Sequence, residues 1–222
     1  MKAKLYGIGV GPGDPELLTL KARKAIQQCA VIAGQKNAFS IVAPYLAGKN
    51  LLECAFAMVD DMTKRREARL VAAGQILAVL EAGQDVGFVT LGDPTTYSTY
   101  MYVHALIKDK GFDVEIIPGV TSYAAAAAAL GLALCEDNEV LTIIPAKHSI
   151  NMDALLDAPG NKVLMKSGEN LTHVLEKLKV REQDAMIACR VGMAGQTLYH
   201  SIDEYNQSPE TGYFTVVIVR ER

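Results

Sequence analysis

Apolar and polar positions alternate along the first half of the chain in a repeating strand–helix order. Short apolar runs that end in turn residues predict strands, and longer stretches with helical spacing predict helices. The pattern gives strands at residues 5–10, 31–33, 85–91 and 112–117, with helices at 17–30 and 63–82 and one ending near Ile107. This order predicts a mainly parallel sheet with helices on both faces.

The second half has a different order. The pattern predicts helices at 121–130 and 171–178, and strands at 140–144, 162–165, 185–191 and 213–219. Strands without intervening helices near the end predict a mixed, partly antiparallel sheet. Pro118-Gly119 breaks the pattern. We therefore expect two α/β domains, residues 1–117 and 118–222, with a cofactor cleft between them.

Composition narrows the class of protein. The chain has 222 residues, of which 50% are hydrophobic and 21% are charged. This proportion of apolar residues is sufficient for a hydrophobic core. The net charge of −3 and the lack of Trp argue against a nucleic-acid partner. The longest apolar stretch, residues 123–135, is shorter than the ~20 residues that a membrane span needs. We expect a cytoplasmic protein with no membrane role.

The cysteines and histidines are scattered. No two cysteines form a CxxC pair, and no two histidines lie at metal-ligand spacing. We expect buried free thiols at Cys29, Cys54, Cys135 and Cys189, and no metal site.

A glycine-rich segment, Gly-Ile-Gly-Val-Gly-Pro-Gly-Asp-Pro at residues 7–15, follows the first strand. It does not fit GxGxxG, because the sixth position is Pro12 or Asp14, and no Gly-Lys-Ser/Thr follows. The glycines permit either a tight strand-to-helix turn or close approach to a ligand. Asp14 and Pro15 are predicted to start the next helix.

Two further unusual loops follow predicted strands. One reads Thr-Leu-Gly-Asp-Pro-Thr-Thr-Tyr-Ser-Thr-Tyr at 90–100, and the other Ile-Pro-Gly-Val-Thr-Ser at 117–122. Each is either a turn with a helix cap, at Ser98 and at Thr121 or Ser122, or a loop that holds a ligand. Because ligands bind outside the carboxyl ends of parallel strands, we expect all three loops at one edge of the sheet.

Together, the three motifs resemble the tetrapyrrole methyltransferase family, which binds S-adenosylmethionine without a Rossmann glycine signature. The sequence is similar to the precorrin-2 C(20)-methyltransferase branch in five segments, residues 9–22, 90–99, 118–122, 164–166 and 213–215. The resemblance covers residues 5–219. It implies a homodimer that methylates a small tetrapyrrole, precorrin-2 or cobalt-precorrin-2, at carbon 20 in cobalamin biosynthesis, with S-adenosylhomocysteine as product.

The resemblance also implies the residues that contact the cofactor. Carried over motif by motif, they are Pro12, Leu91, Gly92, Asp93, Thr96, Thr121, Ser122, Met165 and Met193, with Gly192 as an alternative to Met193. Asp93 and Tyr97 are the catalytic candidates. Asp93 either orients the cofactor, polarises the substrate or ties down its own turn. Tyr97 and Tyr100 are candidates to pack against one face of the macrocycle. For Tyr100, the alternative is a place in the hydrophobic core.

The chain departs from the family in the loop after the second strand. Relatives that methylate uroporphyrinogen carry an acidic residue there, whereas this loop reads Ala-Gly-Gln-Lys at 33–36, so no catalytic base is carried over.

Cations are needed for a substrate with many carboxylates. Lys64-Arg65-Arg66 lie at the start of a helix, the end that disfavours cations. They either attract an anion or form a solvated face that pairs with acidic neighbours at 60, 61 and 67. Lys147-His148 and Lys166 follow predicted strands and are further candidates.

Three other functions are compatible with some of these features. One is a sister methyltransferase acting on another ring carbon, a protein or RNA, which substrate tests would distinguish. Another is a non-enzymatic nucleotide-binding domain. The absence of both GxGxxG and the Gly-Lys-Ser/Thr motif of a phosphate-binding loop argues against it. The third is a metal chelatase, against which the scattered histidines count.

Overall fold

The chain divides into two compact units, Met1–Thr121 and Ser122–Arg222. The computed structural model describes residues 2–56, 61–146, 150–205 and 212–221. Each unit contains its own sheet, flanked by helices. The predicted pair of α/β domains is therefore confirmed, and the division falls at Thr121, just after Pro118-Gly119.

The described part of the first unit holds a five-stranded sheet in the order β3-β2-β4-β1-β5. Its strands are β1 (Lys4–Gly9), β2 (Val31–Gly34), β3 (Asn50–Glu53), β4 (Val86–Thr90) and β5 (Asp113–Ile117). The pairings are all parallel, as predicted. Parallel neighbours need crossover connections, which are α1 (Leu20–Gln28), α2 (Lys36–Val42), α3 (Met62–Glu81) and α4 (Tyr100–Asp109).

Helix α1 begins later than the sequence pattern predicts. Asp14 Oδ1 accepts a 2.8 Å hydrogen bond from Glu16 N–H and caps a short 3-10 turn, Pro15–Leu17. Thr19 Oγ1 then accepts from Ala22 N–H at 3.1 Å and caps α1 itself. The prediction that Asp14 and Pro15 start the helix was therefore wrong, because two successive caps separate the turn from the helix.

The core of the first unit lies between the sheet and the helices α3 and α4. Leu5 and Phe88 of the sheet are buried with Ile76 of α3 and Tyr100 of α4. The rings of Phe88 and Tyr100 are tilted at a centroid distance of 5.3 Å, a favourable aromatic arrangement. This packing fixes the strands whose carboxyl ends carry the glycine-rich loops.

In the second unit, the described residues form a mixed five-stranded sheet in the order β6-β7-β10-β8-β9. Its elements are α5 (Ser122–Leu130), β6 (Leu141–Pro145), α6 (Met152–Asp157), β7 (Asn161–Met165), α7 (Leu171–Val180), β8 (Ala185–Cys189), β9 (Thr197–Tyr199) and β10 (Thr215–Val219). Strand β10 is buried throughout and antiparallel to both of its neighbours, while β6 and β7 are parallel. The predicted mixed sheet is confirmed.

Candidate functional site

The three loops singled out in the sequence meet at one edge of the first sheet. A Cβ atom on Gly9 would lie 2.5 Å from Gly119 N and 2.7 Å from Gly92 O. A Cβ on Gly119 would lie 2.8 Å from Gly9 Cα and even closer to Gly92 O. These are backbone atoms that cannot swing away, so only glycine permits the contact. The expectation that the loops share an edge is confirmed.

Backbone hydrogen bonds lock the first loop to the second. Gly92 N–H donates to Gly11 O at 2.7 Å, and Gly11 N–H donates to Gly92 O at 3.3 Å. Both glycines are in the left-handed region, with φ of 78° and 63°. Pro12, the next residue, is buried in this turn. The glycine-rich segment is thus a tight turn held against the loop after β4.

Asp93 joins the second loop to the third. Its side chain is only 8% exposed. Oδ2 accepts a 3.0 Å hydrogen bond from Gly119 N–H, while Oδ1 accepts from Thr95 N–H at 2.8 Å and from the Thr95 hydroxyl. Hydrogen bonds to an ionised group are stronger than neutral ones. Asp93 therefore ties down its own turn, one of the roles weighed above, and clamps the loop after β5 as well.

The two tyrosines of the second loop lie in different surroundings. Tyr97 is 41% exposed and has φ 52°, a conformation that costs a non-glycine residue about 1–3 kcal/mol and clusters at functional sites. Tyr100 is fully buried, packs against Gly7, and its hydroxyl lies 3.0 Å from His104 Nδ1. Tyr100 is a core residue, while Tyr97 remains accessible.

The hydroxyls of the second loop are partly used within it. Thr90 Oγ1 lies 2.9 Å from Ser98 Oγ, which accepts from Tyr100 N–H at 3.2 Å at the start of α4. Ser98 therefore supports the helix start, but the cap residue of α4 is Thr99, whose side chain makes no cap hydrogen bond, so the predicted cap at Ser98 is one residue early.

The charge of this edge restricts what it can bind. The three loops, residues 9–19, 90–99 and 117–122, contain acidic residues, including Asp14 and Asp93, and no Lys, Arg or His. A nucleotide phosphate would find neither a cation nor the lysine of a phosphate loop here. A ligand with a positive centre, such as the sulfonium and ammonium groups of S-adenosylmethionine, fits the edge better.

The predicted cofactor residues fall into two groups. Pro12, Leu91, Gly92, Asp93, Thr96 and Thr121 belong to the first unit, and Ser122, Met165 and Met193 to the second. Met165 ends β7, and Met193 lies in the turn that follows β8. Since β7 and β8 are both antiparallel to the β10 strand between them, the two methionines lie at the same edge of the second sheet.

Two cations at this second edge were not both evident from the sequence. Lys166 and Arg190 directly follow β7 and β8 and adopt left-handed backbone conformations, with φ of 58° and 53°. The Lys166 ammonium lies 5.8 Å from the centre of the Tyr213 ring. Lys166 was a candidate from its position after a strand, but nothing in the residue types indicated Arg190 or either conformation.

The cations at the start of α3 have a structural explanation. Asp61 caps the helix by accepting from Thr63 N–H and Lys64 N–H, and its carboxylate lies 3.9 Å from the Lys64 ammonium. This favours the solvated, paired face over an anion site. Asp60 and the Lys147-His148 candidates lie outside the described residues.

Three of the four thiols are buried. Burial raises the pKa of Cys29 to about 12 and that of Cys54 to about 11, and it also raises the pKa of Cys189, so all three are poor nucleophiles. Cys135 is exposed, so the expectation that all four are buried was wrong.

No cluster of His, Cys, Asp or Glu suited to a metal ion occurs within the described ranges. In that same part of the chain, no helix has both the length and the apolar character to cross a membrane.

Comparison with known proteins gives consistent results. The family model described as Tetrapyrrole (Corrin/Porphyrin) Methylases matches residues 4–204. A probable cobalt-precorrin-2 C(20)-methyltransferase of Methanocaldococcus jannaschii is 32% identical over 98% of this chain and 96% of that protein. A precorrin-2 C(20)-methyltransferase of Sinorhizobium sp is 29% identical over 97% and 94%.

Solved structures share the fold. A cobalt precorrin-4 methyltransferase superposes with a TM-score of 0.82 at 23% identity, covering 98% of this chain and 94% of that one. A uroporphyrin-III C-methyltransferase of Thermus thermophilus, solved in complex with S-adenosylhomocysteine, gives 0.75 at 20% identity, covering 99% and 98%. Such likeness extends over both α/β units of the chain.

Proposed function

The chain belongs to the tetrapyrrole (corrin/porphyrin) methylases, and from this premise we propose that it transfers a methyl group from S-adenosylmethionine to carbon 20 of precorrin-2 or its cobalt complex. The family resemblance inferred from the motifs is confirmed, and the protein is a methyltransferase. The substrate is carried over from relatives that are similar over nearly their whole length and are named precorrin-2 or cobalt-precorrin-2 C(20)-methyltransferases.

The observation that carries the proposal is the edge of the first sheet. Three loops from separate strands meet there through glycine contacts and the Asp93 clamp, and they carry no basic residue. This edge suits a cofactor with a positive centre and disfavours one with phosphates. It therefore supports S-adenosylmethionine over the alternative of a nucleotide-binding domain.

S-adenosylmethionine supplies a methyl group bound to a sulfonium, which an electron-rich carbon displaces in line. The protein's task is then to align the two partners and exclude water. Orientation of this kind contributes about 7–11 kcal/mol to lowering a barrier. Residues Pro12, Leu91, Gly92 and Thr96 would hold the cofactor from the first unit, with Thr121 beside them. In the second unit, Ser122, Met165 and Met193 would hold it.

Asp93 is proposed to act mainly as a positioning residue. All three of its hydrogen bonds hold loops that would contact the cofactor, and its negative charge lies where a positive ligand is favoured. Tyr97 is the better candidate for contact with the macrocycle, because it is exposed and held in a strained conformation. Burial raises the pKa of the Tyr97 phenol, so it stays neutral at physiological pH.

The balance of the proposed reaction is simple. Carbon 20 gains the methyl group and loses a proton, and the sulfonium becomes the neutral thioether of S-adenosylhomocysteine. No residue of the chain is assigned to accept the proton, because the loop after β2 reads Gly34-Gln35-Lys36 and offers no acid there.

The proposal is tested by anaerobic incubation with S-adenosylmethionine and either precorrin-2 or its cobalt complex, followed by mass spectrometry of the tetrapyrrole. The account expects one of the two to gain the mass of a single methylene, with S-adenosylhomocysteine released in equal amount. Gain on the cobalt form alone would place the enzyme after metal insertion, and gain on the metal-free form alone would place it before. No gain on either, with S-adenosylhomocysteine still bound, would contradict the substrate assignment.

The proposal includes a homodimer that works in the cytoplasm. Both expectations come from the family resemblance and the composition. Light scattering on the eluting peak of a size-exclusion column would give the mass of the assembly. A mass equal to one chain at micromolar concentration would contradict the dimer.

A further inference from the structure

We propose that Lys166 and Arg190 form a two-cation site that binds carboxylates on separate side chains of the tetrapyrrole substrate. The inference rests on the proposed function and adds to it the residues that recognise the acidic periphery of the macrocycle. It is carried by five observations on the second unit.

The two cations lie at one edge of the sheet, on either side of β10. Lys166 follows the last residue of β7, and Arg190 follows the last residue of β8. Since β10 lies between these strands, their backbones are separated by two strand spacings, about 10 Å. With long side chains on backbones this far apart, the two cations can reach different parts of one ligand, so the spacing suits a ligand that carries several carboxylates.

Both cations are held by a rigid backbone. Arg190 N–H donates to Phe214 O at 2.9 Å, and the buried Ser167 hydroxyl donates to Thr215 O at 3.2 Å. A Cβ atom on Gly168 would overlap the backbone of Gly212, so the loop after β7 packs directly on the chain entering β10. The edge therefore presents the two side chains without needing to fold around the ligand.

Glycine would satisfy the left-handed backbone at these two positions better than a lysine or an arginine does. Lys166 and Arg190 have φ of 58° and 53°. Glycine adopts these angles without strain, whereas residues with a Cβ atom are strained there. Strained residues persist only where the surrounding structure holds them, and they cluster at functional sites. Long cations at both positions, rather than glycine, indicate that their charges are used.

The surroundings favour an anion. The Lys166 ammonium lies 5.8 Å from the centre of the Tyr213 ring, and Tyr213 as a residue is 40% exposed, so an aromatic side chain lies beside the charge. Within the described residues, the Arg190 side chain donates one hydrogen bond, from Nε to Ala194 O at 2.9 Å, and makes no ion pair. The guanidinium thus keeps donors for a carboxylate, which it can bind through two parallel bonds.

The site also lies next to the residues expected to hold the cofactor. Met165 immediately precedes Lys166, and Met193 lies in the turn that begins at Arg190, where its N–H donates to Arg190 O at 2.9 Å. A substrate bound here would be adjacent to the methionines of the same edge. The carboxylate of the cofactor is the competing ligand, and the experiment below separates the two.

Glycine variants give the sharpest test, because glycine suits the backbone at both positions. Lys166→Gly and Arg190→Gly should keep the melting temperature of the wild type or raise it, while each raises KM for the tetrapyrrole about tenfold, the loss expected for one charged hydrogen bond. The double variant should lose more than either. Affinity for S-adenosylhomocysteine, measured by calorimetry, should not change.

Lys179→Met is the matched control. Lys179 is a cation of the same unit, on α7, that pairs with Asp203 at 3.3 Å and lies outside the edge. Its loss should leave KM unchanged. An equal rise in KM for this control would mean that general charge attraction, rather than a site, is being measured, and would overturn the inference.

Direct binding separates this inference from the proposed function. Uroporphyrin carries acetates and propionates, whereas coproporphyrin has methyl groups in place of the acetates. The wild type should bind uroporphyrin more tightly in a fluorescence titration, and both glycine variants should lose that preference even if the protein methylates neither precorrin. A wild type that binds neither porphyrin, variants that bind like the wild type, or a loss confined to S-adenosylhomocysteine would each overturn the two-cation site.

Discussion

The two sheet edges that carry the predicted cofactor residues are built in different ways. In the first unit, the edge is made of backbone: Gly9, Gly92 and Gly119 touch one another, and the Asp93 carboxylate accepts hydrogen bonds from backbone N–H groups. In the second unit, the edge carries two long cations, Lys166 and Arg190, with left-handed backbone conformations. Backbone contacts tolerate almost no substitution, whereas long side chains can be exchanged. The first edge therefore suits an invariant cofactor, and the two cations of the second edge, beside the methionines proposed to hold that cofactor, suit a specific substrate.

The strongest challenge to this comparison is Gly119→Ala. The added methyl would overlap Gly92 O and Gly9 Cα, so the three loops would have to separate. We expect the free energy of unfolding to fall by about 3 kcal/mol and binding of S-adenosylhomocysteine to be lost. Urea denaturation and calorimetry measure the two quantities.

Gly74→Ala is the control for that change. Gly74 lies on α3, and a Cβ there would meet no atom within 4 Å. Alanine should stabilise the helix by up to about 1 kcal/mol and leave cofactor binding unchanged. If Gly119→Ala behaved in the same way, the first edge would not be a backbone-built site.

Asp93→Asn should have the next largest effect. The new amide can still accept from Thr95, but its NH₂ group would face Gly119 N–H, so a donor would meet a donor. We expect a loss of about 2 kcal/mol in stability and at least tenfold weaker binding of S-adenosylhomocysteine. Asp61→Asn is the control, since that exposed side chain caps α3 and belongs to none of the three loops. Equal losses in the two variants would argue against a clamp role for Asp93.

Ser167→Ala tests whether the position of the loop after β7, rather than the charge of Lys166, matters at the second edge. The Ser167 hydroxyl is fully buried and donates to Thr215 O, so its removal leaves that carbonyl without this partner. The cost should be about 1 kcal/mol in thermal or urea unfolding. Because the loop after β7 also packs on Gly212, KM for the tetrapyrrole should rise less than in Lys166→Gly. A larger rise would mean that loop position matters more than the charge.

Glu115→Gln, in the middle of β5 and outside the three loops, should have the smallest effect. Hydrogen bonds from Lys21 and Lys4 lower the pKa of the Glu115 carboxyl, and the same contact raises the pKa of Lys4. These ion pairs are partly exposed, so we expect about 0.5 kcal/mol. A carboxyl with a lowered pKa in the folded state gives stability that is present above its unfolded pKa, about 4.3, and is lost as pH falls through the folded value.

The matching measurement is thermal unfolding between neutral and acidic pH. Wild type and Glu115→Gln should differ at neutral pH and converge as the solution is acidified. A difference that grows on acidification would show that the sign of the pKa shift is wrong. Cofactor binding at neutral pH should be the same in both proteins.

Much of the fold could be predicted from the sequence because its main strands are apolar runs bounded by glycine. Short elements escaped prediction: β3 has four residues that are mostly exposed, β9 has three, and α2 and α6 have seven and six. Segments of this length carry too few periods to reveal a pattern, and their structure depends on the neighbours they pair with.

The candidate site could also be predicted only in part, because some of its features follow from strand order and others depend on contacts between distant residues. The meeting of the three loops followed from strand order alone, since the carboxyl ends of parallel strands share an edge. The Asp93–Gly119 hydrogen bond joins residues 26 positions apart and could not be read from local sequence. Nor could the left-handed conformations of Lys166 and Arg190, because neither residue type signals positive φ in the way that glycine or asparagine does.

The central claim is that the methyl group goes to carbon 20, and carbon-13 NMR of the product tests it most directly. The tetrapyrrole is methylated anaerobically with S-adenosylmethionine labelled in its methyl group. The account predicts one labelled methyl, attached to the meso carbon at position 20, as the names of the relatives indicate. A label on any other ring carbon would make the protein a sister methyltransferase, and would contradict the account.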